Sequence, residues 1–346
     1  MKTLKVAIVG YGYMGEIRHQ NVSRHPKLQL LSICDPGKFD KLAGLDCEAY
    51  ADYRDALKQK PDVVFVCTPN NVTPDAVCDA IRAGCHVFCE KPPGRSLADI
   101  ERIISVESGH PESRLIFGFN HRHHPAITDA KAIIDGGSMG RLLWLRGVYG
   151  KSGGHDFEKS WRNDPAVGGG GILLDQGIHM LDLFRFFCGD FIEVQSMAAT
   201  SYWNIPFEDN AFVHLRSRTG QIAQLHSSAT LWKHTFRLEM GLESGYLIVT
   251  GLLSKTGSYG RETLLVGRRP RLGEKAAVGN PREEVTYYDD DPSWDIQVEH
   301  FVDCILKSRP VEDSTSRDAL EVMKLINTVY RQNEIQQRAQ PEKVEP

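Results

Sequence analysis

The sequence predicts an α/β protein of two domains: a doubly wound parallel sheet, then a second α/β domain with a largely antiparallel, open sheet. Three observations predict it. The first 120 residues alternate short apolar runs with amphipathic stretches. The rhythm then changes to consecutive strands with turn signals between them. A chain of 346 residues is too long for one small core and comfortable for two.

In the first part, Lys5–Val9, Leu28–Cys34, Val63–Cys67, His86–Cys89 and Leu115–Gly118 are short, β-rich and apolar, as strands buried on both faces require. Between them lie helical stretches such as Thr73–Ala83, closed by Gly84, and Ser96–Ser105, opened by a serine cap. Strand–helix alternation of this kind implies right-handed βαβ units. After residue 120 a helix (Pro125–Asp135), a strand (Leu142–Tyr149) and a Gly- and Lys-rich loop lead to a helix over Gly171–Phe187. Alternating strands then follow in series: Glu193–Ser201, Asn210–Arg216, Ile222–Thr230, Thr235–Gly241 and Tyr246–Thr250. Turn signals at Thr219-Gly220 and Ser244-Gly245 make them antiparallel neighbours. Gly251–Glu284 reads as a mobile hairpin or loop, and helices over Trp294–Lys307 and Arg317–Glu334 close the fold. The expected domains are therefore 1–120 and 121–338, with a frayed polar tail at 339–346.

Composition narrows the class. Apolar residues make up 41 % and charged residues 25 %, the profile of a globular enzyme. A net charge of −4 gives no global attraction to nucleic acid or anionic membrane. No apolar run approaches the roughly 18 residues that a membrane span needs. The N-terminal run meets glycine too early for a signal-peptide core, so a cytoplasmic location is expected. The eight cysteines form no C-x-x-C pair. Cys85 and Cys89 lack a second ligand pair, so reduced buried thiols are expected and no metal site.

The chemistry gathers at a few motifs. Gly10-Tyr11-Gly12-Tyr13-Met14-Gly15 follows the first strand and opens a helix, where glycines admit a pyrophosphate to the amides of a helix N-terminus. Asp35 stands twenty residues beyond Gly15 at the end of the second run. An acid there accepts hydrogen bonds from the adenosine ribose hydroxyls and repels a 2′-phosphate, which points to NAD. A glycine turn and an Asp-Pro turn without a ligand are the plain alternative. Thr68-Pro69-Asn70 and Glu90-Lys91-Pro92-Pro93 end later strands, where ligands of open α/β sheets sit. A surface ion pair before a proline turn is the alternative for Glu90-Lys91.

The densest signal is Gly168–Asp182. Four glycines precede a helix on which Asp175 and His179 stand four apart, about 40° from one another on one face. A carboxylate and an imidazole so placed form a base able to take a hydroxyl proton as hydride leaves the carbon. Asp182, seven after Asp175, is placed to orient the imidazole. A solvated helix bearing an i,i+4 polar pair is the competing reading, against which Ile178, Met180, Leu181, Leu183 and Phe184 argue.

Together with Gly118-Phe119-Asn120-x-Arg122 and Trp161-Arg162, these motifs resemble the Gfo/Idh/MocA oxidoreductase family, in that family's order and over essentially the whole chain. The resemblance implies a Rossmann domain, then an α/β domain whose open sheet mediates dimer or tetramer contacts. It implies a catalytic set of Lys91, Asp175 and His179, with Lys91 on the reacting hydroxyl and His179 as acid/base. It implies cofactor contacts from Gly10, Gly12, Tyr13, Met14, Gly15, Asp35, Thr68, Asn70, Glu90, Lys91, Asn120, Trp161 and Arg162. Substrate contacts are expected from Lys91, Asn120, Arg122, Arg162, Asp175 and His179. Two departures stand out: Thr73 where relatives often carry histidine, and the histidine-rich His121-Arg122-His123-His124. That stretch is either a subgroup-specific substrate contact or a solvated helix start.

The expected activity is NAD-dependent oxidation of a ring hydroxyl, at C3, of a nucleotide-linked N-acetylhexosamine such as UDP-GlcNAc. Its motivation is local charge: Arg122, His123, His124, Arg146, Lys151, Lys159 and Arg162 border the expected cleft and suit a diphosphate. The alternatives are a cyclitol dehydrogenase resembling inositol dehydrogenase, a ketosugar reductase and, from another class, a non-catalytic NAD(P)-sensing regulator. A sensor need not keep Lys91, Asp175 and His179 together. A homodimer or homotetramer is expected, because an antiparallel sheet over 193–250 exposes Phe212, Leu215 or their alternates unless a second subunit covers one face.

Overall fold

The computed structural model describes residues 3–38, 42, 45–270 and 279–334. The expected tail at 339–346 lies outside them. The chain divides into two compact units. The first comprises Met1–Phe119, Ala166–Gly169 and Trp294–Lys324, and the second Asn120–Pro165, Gly170–Ser293 and the chain from Leu325.

The first unit holds six parallel strands: β1 (Leu4–Val9), β2 (Leu28–Cys34), β3 (Glu48–Tyr50), β4 (Val63–Val66), β5 (His86–Cys89) and β6 (Leu115–Phe117). Their order is β3-β2-β1-β4-β5-β6, so the winding reverses between β1 and β4. Helices α1 (Tyr13–Arg24), α2 (Tyr53–Lys58), α3 (Thr73–Arg82) and α4 (Leu97–Ser108) alternate with the strands. Val63, Val64, Phe65 and Val66 are all buried, as a strand covered on both faces must be. The sequence reading missed β3 and α2. Three residues at the sheet edge, Glu48 exposed and Ala49 and Tyr50 half-buried, carry no apolar run to read.

A larger correction concerns α7 (Ser293–Leu306). The sequence reading gave 121–338 to the second domain, yet Val298, Phe301, Val302 and Ile305 share a core with Leu4, Val6, Ile8, Phe65 and Phe88. Gln297 fastens the helix there, donating to the Phe117 carbonyl (2.8 Å) and accepting from Arg18 (3.1 Å). Trp294–Lys324 therefore belongs with the parallel sheet.

The second unit is built on an eight-stranded sheet of order β14-β13-β12-β11-β7-β10-β9-β8. Its strands are β7 (Leu142–Gly150), β8 (Phe191–Ala199), β9 (Asn210–Ser217), β10 (Ile222–Ser228), β11 (Thr235–Leu242), β12 (Gly245–Thr250), β13 (Glu262–Arg268) and β14 (Glu283–Tyr288). All pairs are antiparallel except β7 with β10. β13 and the start of β14 fall inside Gly251–Glu284, which was expected to be a hairpin or loop; residues 271–278 of that segment lie outside the described ones. Helix α5 (Pro125–Asp135) precedes β7, and α6 (Ile178–Cys188) packs on the sheet closely enough that a Cβ at Gly147 would stand 2.6 Å from Met180 Cγ. The chain closes with α8 (Ser316–Gln332). Along β9, Leu215 faces inward at 2 % exposure, whereas Phe212 faces outward at 43 %. No helix among the described residues is long and apolar enough to cross a membrane.

Candidate active site

In the first unit, the β1–α1 turn forms a cradle whose glycines have distinct jobs. Gly10 has φ +90°, and a Cβ there would meet the Cys67 carbonyl oxygen at 2.4 Å. A Cβ at Gly15 would meet the Gly10 carbonyl oxygen at 2.1 Å. Both glycines are packing requirements. At Gly12 an added Cβ meets nothing within 4 Å, and no side chain caps α1 there. Tyr13 is exposed and Met14 half-buried in the same turn. A space beside helix-start amides is what a dinucleotide pyrophosphate needs.

Asp35 ends β2. Its carboxylate accepts from Tyr11 N (2.7 Å) and Gly37 N (2.9 Å), so it shapes the glycine turn as well. An ionised carboxylate offers about four acceptor positions, which leaves capacity for ribose hydroxyls. Thr73, the departure from the family pattern, ties down its own loop: its hydroxyl donates to the Pro69 carbonyl (3.1 Å) and lies 2.9 Å from Thr68 Oγ1. Asn70 donates to the Gly168 carbonyl at 2.7 Å.

Glu90 proves to be no surface residue. It is buried and accepts from Arg18 Nε at 2.7 Å. The Arg18 guanidinium in turn lies 4.1 Å from the centre of the Phe88 ring. The charge of Glu90 is thus met by the protein itself, and Lys91, the next residue, is half-buried.

In the second unit, Leu173–Gly177 forms a π-helical turn that runs into α6. Asp175 lies in that wider turn and His179 in the first turn of α6, so the uniform α-helix expected over Gly171–Phe187 is corrected. Such turns recur at functional sites. Asp175 accepts from Lys151 Nζ (2.5 Å) and Arg162 Nε (3.0 Å). The His179 ring stacks on His121 with centroids 3.7 Å apart and planes 15° from parallel. His121 Nε2 lies 3.0 Å from the Tyr149 hydroxyl, and His121 Nδ1 3.2 Å from Asn120 Oδ1. Asn120 Nδ2 donates to Ser293 Oγ at 3.1 Å. Burial raises the Tyr149 hydroxyl well above its ordinary pKa. Tyr259 donates to Gln176 Oε1 at 2.9 Å.

Two readings need correction here. Arg122 donates to both carboxylate oxygens of Asp182 (2.8 and 2.5 Å), and both side chains are buried. Arg122, expected to contact substrate, therefore has its charge answered inside the protein, and Asp182 is the group that answers it. His121 and His124 are buried, so the histidine stretch is no solvated helix start. His124 pairs with buried Glu262 at 2.7 Å, while His121 belongs to the site. Trp161 and Arg162 sit on one 3-10 turn, with the guanidinium 4.4 Å from the indole centre.

Sequence reasoning missed Glu208, which holds the start of the π turn. Its carboxylate accepts from Gly171 N (3.2 Å), Leu173 N (2.9 Å) and Tyr330 Oη (3.0 Å). The glycine run is needed because a Cβ at Gly170 would stand 2.2 Å from the Tyr330 hydroxyl. Burial pushes the Glu208 carboxyl up to about 7, against the pull of those donors. Because the folded state binds this proton more tightly than the unfolded chain, the contribution is full below about 4.5 and is lost as pH rises through about 7. Denaturant unfolding at pH 5 and pH 8 is expected to show wild-type stability falling by up to about 3 kcal/mol from this group. Glu208→Gln should remove that slope, and an equal slope in both proteins would contradict the assignment.

The parallel sheet, its glycine cradle and the acid closing β2 define an NAD-binding Rossmann oxidoreductase. Residues 4–113 match the family described as oxidoreductase family, NAD-binding Rossmann fold, and residues 127–248 match the GFO/IDH/MocA C-terminal domain. This chain belongs to the GFO/IDH/MocA oxidoreductase family. Similar curated proteins include the uncharacterised oxidoreductase YrbE of Bacillus subtilis, 28 % identical over 66 % of this chain and 67 % of its own length. Levoglucosan dehydrogenase of Pseudarthrobacter phenanthrenivorans is 27 % identical over 58 % of this chain and 55 % of its own. Inositol 2-dehydrogenase of Salmonella typhimurium is 30 % identical over 42 % and 46 %. The matches thus span about half to two thirds of those relatives. Among solved structures, levoglucosan dehydrogenase with NADH and levoglucosan superposes with TM-score 0.83 at 19 % identity, covering 97 % and 98 % of the two chains. WlbA dehydrogenase of Bordetella pertussis with NADH and UDP-GlcNAcA gives 0.79 at 20 %, covering 96 % and 97 %. At these identities the likeness is one of fold.

Proposed function

We propose that this protein oxidises a ring hydroxyl of an uncharged sugar or cyclitol with NAD. The observation that carries the reading is the state of the cations from which a diphosphate was expected. Arg146 pairs with Glu239 (2.5 Å), Lys159 with Asp156 (3.1 Å), and Lys151 and Arg162 both with Asp175. Arg122 and His124 are committed to buried carboxylates. Recruiting buried Arg122 or His124 to a diphosphate would break pairs inside the protein, whereas neutral hydroxyls leave them in place; the exposed pairs of Arg146 and Lys159 weigh little. Turnover of UDP-, GDP- and dTDP-sugars beside glucose, other free sugars and myo-inositol tests this. Faster turnover of any nucleotide sugar than of every neutral substrate would restore the diphosphate reading.

NAD, when bound, supplies the hydride acceptor. Lys91 donates a hydrogen bond to the reacting oxygen and stabilises the charge that grows there. His179 takes the hydroxyl proton, its ring plane held by the His121 stack. Asp175 orients the substrate hydroxyls, its own position held by Lys151 and Arg162. In the cradle, Asp35 selects the ribose diol over a 2′-phosphate. Calorimetry is expected to favour NAD over NADP by about 2 kcal/mol or more. Asp35→Ser should narrow that gap and also weaken NAD, because the turn loses its bond at Tyr11 N. Equal wild-type affinities would refute the role.

The protein is further proposed to be a homodimer or homotetramer through the open face of its eight-stranded sheet. Phe212 lies there, and Met197, paired with it in register, is 79 % exposed. Light scattering is expected to give a dimer or tetramer; monomer alone at micromolar concentration would contradict this.

A further inference from the structure

We propose that Tyr202, Trp203 and Trp232 form an aromatic platform that binds a second sugar ring, so that the preferred substrate is a glycoside or disaccharide. The proposal rests on the sugar-oxidising reading above and adds a subsite to it.

Sheet register puts the platform and Asp175's cation partner at one end of the sheet. β7 and β10 end together, Gly150 opposite Ser228, and β11 begins opposite Gly150 at Thr235. β8 ends at Ala199, opposite Asn210, which pairs with Ser228. The loops 151–160, 200–209 and 229–234 therefore leave the same edge. Lys151, which holds Asp175, starts the first of them. Gly153, two residues on, packs so closely under Trp203 that an added Cβ would stand 2.1 Å from the indole. His234, two residues after Trp232, lies 3.3 Å from Ser152 Oγ and edge-on to Tyr259, 5.1 Å between ring centres.

The rings are exposed and yet held still. Tyr202 is 66 % exposed and Trp232 58 %, an expensive arrangement for large apolar groups. Tyr202 meets Trp203 and Trp232 edge-on, with centroids 5.0 and 4.8 Å away. Buried Asp209 accepts from three successive amides, Ser201 N, Tyr202 N and Trp203 N, at 2.8, 2.8 and 3.0 Å. Trp203 Nε1 donates to the Ala229 carbonyl at 3.0 Å. Trp232 has φ +55°, a conformation that a bulky residue adopts only at a cost. A buried carboxylate and a strained backbone thus present fixed aromatic faces to solvent. Preorganised rings of this kind suit the flat C–H face of a pyranose, which loses little on being desolvated there.

The test compares wild type, Tyr202→Ala, Trp232→Ala and the ring-keeping Trp232→Phe on cellobiose and maltose beside glucose and myo-inositol. For each alanine variant, kcat/KM on the disaccharide relative to the monosaccharide is expected to fall about tenfold, chiefly through KM, with Trp232→Phe restoring most of it. In parallel, cellobiose alone should change wild-type tryptophan fluorescence saturably, and this change should be lost in Trp232→Ala. Unchanged ratios would overturn the platform. So would a variant whose only change is a smaller assembly, since the rings would then be a subunit contact. If no sugar is oxidised but cellobiose still alters the fluorescence, the dehydrogenase reading fails and the platform stands.

Discussion

Lys91→Met is expected to reduce kcat by about a thousandfold, while NAD affinity stays within about threefold of wild type. Methionine keeps the length and apolar stem of lysine and removes its charge and donors. What is lost is the stabilisation of charge that grows on the reacting oxygen as its proton leaves, an interaction that strengthens in the transition state. The glycine cradle and Asp35 are untouched, and Glu90 keeps its buried bond to Arg18. His179→Ala should depress turnover comparably, because the proton acceptor is gone. Steady-state kinetics across pH, with calorimetry for NAD, separate chemistry from binding. Near-wild-type rates in either variant would remove that residue from the mechanism.

The second large effect is expected at two glycines three residues apart. Gly12→Val should leave the protein folded and weaken NAD binding at least about a hundredfold. The backbone at Gly12 is in the extended region, open to any residue, and an added Cβ there meets no protein atom within 4 Å. The valine instead fills the space offered to the pyrophosphate. Gly15→Ala should behave oppositely, since its methyl group must displace the Gly10 carbonyl 2.1 Å away. Its expected signature is a loss of stability of about 2–3 kcal/mol, read by denaturant unfolding. Tight NAD binding by Gly12→Val would mean that this turn does not hold the dinucleotide.

Much of this was legible because local chemistry and fold agree. The glycine turn, the acid closing β2 and the apolar strands occur in order, and together they favour one reading over the ligand-free turns that each alone would allow. What escaped the sequence is pairing across distance. Arg122, Arg146 and Lys151 read as unpaired cations, and only the folded chain brings Asp182, Glu239 and Asp175 to them. The amphipathic pattern of α7 shows that one face is apolar, but not that the parallel sheet receives it. β13 spans seven residues but lies among Gly, Arg and Pro residues, so its pattern is drowned by its surroundings. Glu208 lies thirty-seven residues from the amide of Gly171 that it caps, with no spacing to announce it. Asp175 and His179 stand out by their spacing in the sequence, whereas the π turn that carries Asp175 has no sequence signature.

The central claim is hydride transfer from a ring carbon to NAD, and isotope transfer tests it most directly. The protein would be incubated with NAD and ring-deuterated glucose, myo-inositol and cellobiose, and the nicotinamide then analysed by mass spectrometry. The account predicts reduced nicotinamide carrying one deuterium, formed from at least one of these substrates and absent with Lys91→Met. Reduced nicotinamide without deuterium, or none from any sugar or cyclitol while NAD binds normally, would contradict it.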